Sequence, residues 1–216
     1  MLGDLDRELA GLSQELPPLV SLFIGGGTPS LFSGAAIARL LAGIRQRLPL
    51  DPTTEITLEA NPGTADAANF TAYRAAGVNR LSLGVQSLSA DRLHDLGRIH
   101  GPDEARRAFR LARQAGFDNI NLDLMYGLPH QGLPQARDDL NLALALAPEH
   151  LSYYQLTLEP NTPFHATPPP LPDDDLGADM LLQGLELLSA SGFAQYEVSA
   201  HAQSGRQCRH KLHYWT

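Results

Sequence analysis

The chain has 216 residues, 43% of them hydrophobic and 19% charged, with a formal net charge of −8. That length supports one large domain with a substantial core, and the acidic balance offers no general field for nucleic acid or an anionic membrane. A single cysteine, Cys208, excludes an internal disulfide and a multi-cysteine metal site; no apolar run is long enough to span a bilayer, so the cytoplasm is the default location.

Leu2, Leu5, Leu9, Leu12 and Leu16 recur at spacings of three and four and predict an opening amphipathic helix. An apolar run at 22–25 then breaks into Gly25, Gly26, Gly27, Thr28 and Pro29. Ser33 can cap a helix reaching Leu48, with Ile37, Leu40, Leu41 and Ile44 on one face. Residues 56–60 read as the second strand, and Thr64 or Asp66 starts a helix that Gly77 ends. The third strand, 80–85, is followed by a helix from Pro102 or Asp103 to Gly116. The fourth, 120–125, precedes a helix over 133–146. The fifth, 151–158, leads through a stiff proline-rich connector at 168–172 to a helix over 174–191, whose N-terminus suits the aspartates there, and 195–200 reads as a last strand.

Strand alternating with helix predicts a parallel α/β sheet, either doubly wound or a (β/α) barrel, and near-continuous apolar strands suit a sheet covered on both faces. A helix that packs on a sheet normally follows a strand. None precedes the first helix here, so the chain reads as starting one element late.

Ligands bind at the carboxyl ends of strands in such folds. Those ends carry the glycine triplet with Thr28, then Glu59 and Asn61, Gln86, Asn121 with Asp123 and Tyr126, and finally Gln155, Thr157 and Glu159. Asp123 stands between Leu122 and Leu124, so its carboxylate is buried or lines a cavity. Together these residues describe a polar pocket for a ligand with a charged head and hydroxyls. Ser30 replaces the third glycine of a dinucleotide fingerprint, there is no phosphate-binding Gly-Lys-Ser/Thr loop, and no Gly-x-Ser-x-Gly nucleophile. Cys208 reads as structural, although Arg206, Arg209 and His210 beside it favour a thiolate.

The ordered series FIGGGTPSLF, ITLEANPGT, YRAAGVNRLSLGVQSL, LGRIH, GFDNINLDLMYGLPHQ, LSYYQLTLEPNTPF, QYEVSAHA and CRHKLHYW covers essentially the whole chain. It resembles the radical S-adenosylmethionine (SAM) proteins related to oxygen-independent coproporphyrinogen III oxidase, in the branch regarded as haem chaperones. The resemblance implies a partial (β/α)6 barrel. It also implies a Cys-x-x-x-Cys-x-x-Cys loop after the first strand that holds a 4Fe-4S cluster for reductive cleavage of SAM. By motif, Gly25, Gly26, Gly27, Thr28, Glu59, Gln86, Arg98 and Asp123 match SAM-contacting positions. The tail resembles a His-Asn-x-x-Tyr-Trp haem motif, which marks His210 and Tyr214 as haem residues, with His213 a second candidate and Lys211 in place of the asparagine.

The departures carry equal weight. The cluster motif and the family's first strand are absent, and the family's chain continues beyond Trp215. The expectation is therefore a truncated fragment: an incomplete barrel over 1–192 and the start of a haem-associated region over 193–216. Alone, such a chain does not assemble the cluster or perform radical chemistry. The resemblance implies haem or another tetrapyrrole and a haem-acceptor protein as partners. A true coproporphyrinogen III dehydrogenase and a cluster-free haem-binding module are the alternatives.

Overall fold

A computed structural model of the protein describes residues 2–11 and 16–213. In chain order it contains α1 (Leu2–Ala10), β1 (Leu19–Ile24), α2 (Gly34–Arg45), β2 (Leu50–Ala60), α3 (Ala67–Ala76), β3 (Arg80–Gln86), α4 (Ala90–Asp95) and α5 (Pro102–Gln114). It continues with β4 (Ile120–Tyr126), α6 (Leu133–Leu144), β5 (His150–Gln155), α7 (Pro163–Ala166), α8 (Asp174–Ala190), β6 (Ala194–Glu197), β7 (Ala200–Ala202) and α9 (Arg209–Leu212). The expected caps place the long helices. Ser33, Asp66 and Asp173 accept from backbone N–H groups in the first turns of α2, α3 and α8. Gly77 ends α3 with a φ of 111°, the left-handed geometry that suits glycine.

The strands form one curled sheet in the order β1-β2-β3-β4-β5-β7-β6. β1 to β5 are parallel, while β7 runs antiparallel to both β5 and β6. The sheet's two faces differ, which corrects the expectation of apolar cover on both. Leu58, Leu81, Leu83, Leu122, Leu124 and Leu151 are fully buried on the helix-covered side. The alternate residues, Glu59, Arg80, Ser82, Asn121, Asp123 and Ser152, line an internal cavity instead. The runs I-T-L-E-A, R-L-S-L and N-L-D-L thus alternate with period two, and their polar phase faces the lumen.

Other differences have local causes. The opening helix stops at Ala10, and Leu12 lies outside the described residues. The fifth strand ends at Gln155, so Thr157 and Glu159 sit in the following loop and bond each other at 2.9 Å. The single strand expected near the C-terminus is a tight antiparallel pair, β6 and β7. Tyr126 is a core residue, packed on Tyr153 with ring centroids 4.7 Å apart.

Candidate functional site

The cavity has a volume of about 450 Å³, within the range of small-molecule sites, and opens at the carboxyl ends of the parallel strands. Six of the eight residues marked for SAM border it: Gly27, Thr28, Glu59, Gln86, Arg98 and Asp123. Gly25 and Gly26 stand behind Glu59. A side chain at Gly25 would meet Glu59 Oε2 and the Phe23 ring, both 2.9 Å from its Cβ, while the Gly26 N–H donates to Glu59 Oε2 at 3.2 Å. The triplet therefore serves two needs. Gly25 makes room for the carboxylate, and Gly26 and Gly27, with φ of 82° and 60°, make the left-handed turn.

Burial raises the pKa of Glu59, opposed by the Gly26 N–H and assisted by the negative charge of Asp123. Gln86 is a non-glycine residue at φ 67°, next to a break in the β3–β4 register. That strained turn at the strand end directs its amide into the lumen, where Oε1 accepts from the Tyr154 hydroxyl at 2.5 Å. Burial first, and then Asp123, push the Tyr154 pKa up to about 12, so the phenol remains a donor.

Below these residues a chain of hydrogen bonds links four strands, β3, β4, β5 and β6. Asn121 Nδ2 donates to Asp123 Oδ1 at 2.8 Å and to Ser82 Oγ at 2.7 Å, and Ser82 Oγ donates to Asp123 Oδ2 at 3.2 Å. Asn121 Oδ1 accepts from Ser152 Oγ at 3.2 Å and from His150 Nδ1 at 2.6 Å. His150 Nε2 then accepts from the Tyr196 hydroxyl at 2.6 Å, whose oxygen accepts the Cys208 N–H at 3.0 Å. Asp123 is thus held by two donors that are themselves held, and the network ties the ligand cavity to the C-terminal segment.

That segment enters the lumen. Glu55 Oε1 accepts the Arg209 N–H at 3.0 Å and the His210 N–H at 3.5 Å, which anchors the start of α9. The His210 ring stacks on Phe23, with centroids 4.7 Å apart and an interplanar angle of 21°, and Phe23 borders the cavity. Burial holds the His210 pKa below the ordinary value against the pull of Glu55, so its imidazole is neutral at neutral pH. Tyr214 lies outside the described residues. Cys208 is fully buried with its thiol 3.4 Å from Glu55 Oε1. Burial raises its pKa, so the neighbouring arginines and His210 do not make it a thiolate, contrary to the pull they suggest in sequence.

A family model described as the radical SAM superfamily matches residues 2–143. The chain belongs to that superfamily. Over its whole length it is 55% identical to heme chaperone HemW of Escherichia coli strain K12 and 50% identical to that of Haemophilus influenzae. It covers 56% and 57% of those proteins, so the chain spans about half the length of the curated relatives it matches. A solved structure of E. coli coproporphyrinogen III oxidase (HemN), described as a radical SAM enzyme, superposes with a TM-score of 0.78 at 29% identity, over 86% of this chain and 44% of that one.

The superfamily implies SAM and a 4Fe-4S cluster, and the residues present answer differently to the two. The cavity offers two carboxylates, two arginines and glycine-rich backbone to a molecule with an ammonium, a carboxylate and ribose hydroxyls, which fits SAM. A cluster held by three thiolates does not fit, because Cys208 is the chain's one cysteine and is buried beside Glu55. Among the described residues no group of three or more His, Cys, Asp or Glu is placed to hold a metal. Sequence reasoning missed Arg80, Ser82, Ser152, Tyr154, Ser199 and Lys211 as cavity residues. The period-two alternation was the available signal for Ser82 and Ser152.

Proposed function

We propose that this chain is the SAM- and tetrapyrrole-binding part of a haem chaperone in the radical SAM superfamily. The supporting observation is the convergence of Glu59 and Asp123 on one cavity, with the Gly25–Gly27 turn behind one carboxylate and two fixed donors behind the other. In this reading Glu59 and Asp123 take the ammonium and ribose hydroxyls, Arg98 takes the amino-acid carboxylate, and Gln86 with Thr28 orients the ligand. Bound SAM supplies one-electron chemistry only with a reduced iron–sulfur cluster, for which this chain provides no thiolates. The chain's own part is to bind, orient and shield.

Haem binding is assigned to the segment 193–216, with His210 as the axial ligand and Tyr214 as a second haem residue. Its support is a neutral imidazole stacked on a cavity-wall phenylalanine. A haem-acceptor protein is the partner this role requires. The sequence likeness to proteins named heme chaperone, at 50–55% identity, favours this role over the coproporphyrinogen oxidation named for the 29% identical structure.

Calorimetric titration of the 216-residue chain with SAM tests the first assignment. Asp123→Asn is expected to weaken binding at least about tenfold, the loss of one charge-assisted hydrogen bond. Unchanged affinity rejects it. Haem titration of the His210→Ala variant tests the second, and an unaltered Soret band rules out His210 as the ligand.

A further inference from the structure

The floor of the cavity carries two cations without counter-ions. Arg80 opens β3, borders the cavity and is 1% exposed. Its Nε and Nη2 are buried with no acceptor. Lys211, from α9, also borders the cavity and reaches Ser152 Oγ at 3.2 Å. Among the described residues neither cation forms a salt bridge. Glu55, two residues before Thr57 on β2, does not border the cavity and is occupied by the Arg209 and His210 N–H groups and the Cys208 thiol. Thr57, the register partner of Arg80 on the same face, is fully buried with its hydroxyl equally unsatisfied.

A buried guanidinium without a carboxylate is costly, and its cost is recovered when an anion arrives. Neighbouring side chains sense the resulting positive potential. Beyond the effect of burial, Arg80 and Lys211 depress the pKa of His150, Lys211 that of His201 and Arg80 that of His210. The cavity is therefore divided, with Glu59 and Asp123 at its mouth and an uncompensated basic floor below.

We infer that Arg80 and Lys211 form a carboxylate subsite at the base of the barrel, separate from the acidic mouth and assisted by the hydroxyls of Ser152 and Thr57. The inference rests on this cavity being a ligand site but not on the ligand being SAM. Two carboxylates have the right chemistry, a propionate arm of a tetrapyrrole and, in place of its contact with Arg98, the amino-acid end of SAM.

The test uses the full chain with sodium propionate as the probe, against sodium chloride at equal ionic strength. Propionate is expected to raise the melting temperature saturably where chloride does not. Arg80→Met is expected to abolish the effect, and Lys211→Met to weaken the apparent affinity at least about fivefold. Should Arg80→Met fail to fold, the Lys211→Met arm still decides. Equal shifts by the two salts, or a wild-type response in both variants, overturn the subsite. Competition then sorts the source. Displacement of propionate by SAM but not by decarboxylated SAM assigns the amino-acid carboxylate. Displacement by coproporphyrin III but not by its tetramethyl ester assigns a propionate, and displacement by neither overturns a ligand-derived carboxylate. SAM affinity unchanged in Asp123→Asn would reject the adenosyl reading and leave the propionate result standing.

Discussion

His150 Nδ1 lies 2.6 Å from Asn121 Oδ1, and this contact fixes the direction of the hydrogen-bond chain that runs from the C-terminal segment to Asp123. Asn121 spends its amide hydrogens on Ser82 and Asp123, so its oxygen accepts and His150 must donate from Nδ1. Nε2 is then an acceptor for Tyr196, and Asp123 becomes the terminal acceptor of a chain that begins at the Cys208 N–H. One neutral tautomer of a fully buried histidine thus links the C-terminal segment to the ligand carboxylate.

Removing the phenol oxygen tests that link. Tyr196→Phe leaves His150 Nε2 without a donor and the Cys208 N–H without an acceptor, with the ring's packing retained. The expected loss is about 1–3 kcal/mol of unfolding free energy, the cost of stranding buried polar groups. Urea denaturation should show a lower midpoint at unchanged slope. A wild-type midpoint would mean that water replaces the hydroxyl without cost.

The same histidine sets an acid limit. Burial, with Arg80, Lys211 and His201, holds the His150 pKa well below 6.5 in the fold. A lowered histidine pKa contributes stability above the unfolded value and loses it as pH falls through that value toward the folded one. The protein should therefore weaken below about pH 6.5. His150→Gln can donate to Asn121 and accept from Tyr196 without a charge to gain. Its stability difference from wild type should shrink as pH falls from about 7 to 5, by chemical denaturation at each pH. His201 and His210, also lowered, leave a residual slope in the variant.

Packing of α8 supplies a prediction independent of ligands. Gly184 faces the Tyr153 ring so closely that a Cβ would overlap it, and Tyr153 is buried against Tyr126. Gly184→Ala gains helix propensity of about 1 kcal/mol but must displace a buried aromatic, which costs about 1–3 kcal/mol. Net destabilisation is expected, read as a lower melting temperature. The exposed Gly3 in α1, where an added methyl meets nothing within 4 Å, is the control, and Gly3→Ala should not destabilise.

These residues also show what a sequence reveals. Asp123 was legible because a carboxylate between two leucines in a strand has few places to go; the N-cap Ser33 was legible from residue type, which for α3 left Thr64 or Asp66 and for α8 gave only the aspartate cluster that contains the cap Asp173. Arg80 was not, since an arginine at a strand's first position reads as a solvated edge until the tail is known to cover it. The β6–β7 reversal passes through Glu197, Val198, Ser199 and Ala200, which carry no glycine or proline signal. α4, α7 and α9 have six, four and four residues, too few to display a helical period. The left-handed Gln86 depends on tertiary context, since no local pattern demands it.

The mouth of the cavity makes the last prediction. Glu59 titrates above its ordinary value, chiefly through burial, and becomes a counter-ion for a cationic ligand only once ionised. Affinity for SAM should therefore rise as pH increases from about 4 to 7, with part of the rise falling above the ordinary carboxylate range. Glu59→Gln keeps an acceptor for the Gly26 N–H, so the glycine turn should survive while this part of the pH dependence disappears. Affinity at pH 7 should fall about tenfold, the loss of one charge-assisted contact. Calorimetric titration across that range separates the outcomes. A variant as pH-dependent as wild type would place the controlling charge elsewhere and would reduce Glu59 to a support for the turn.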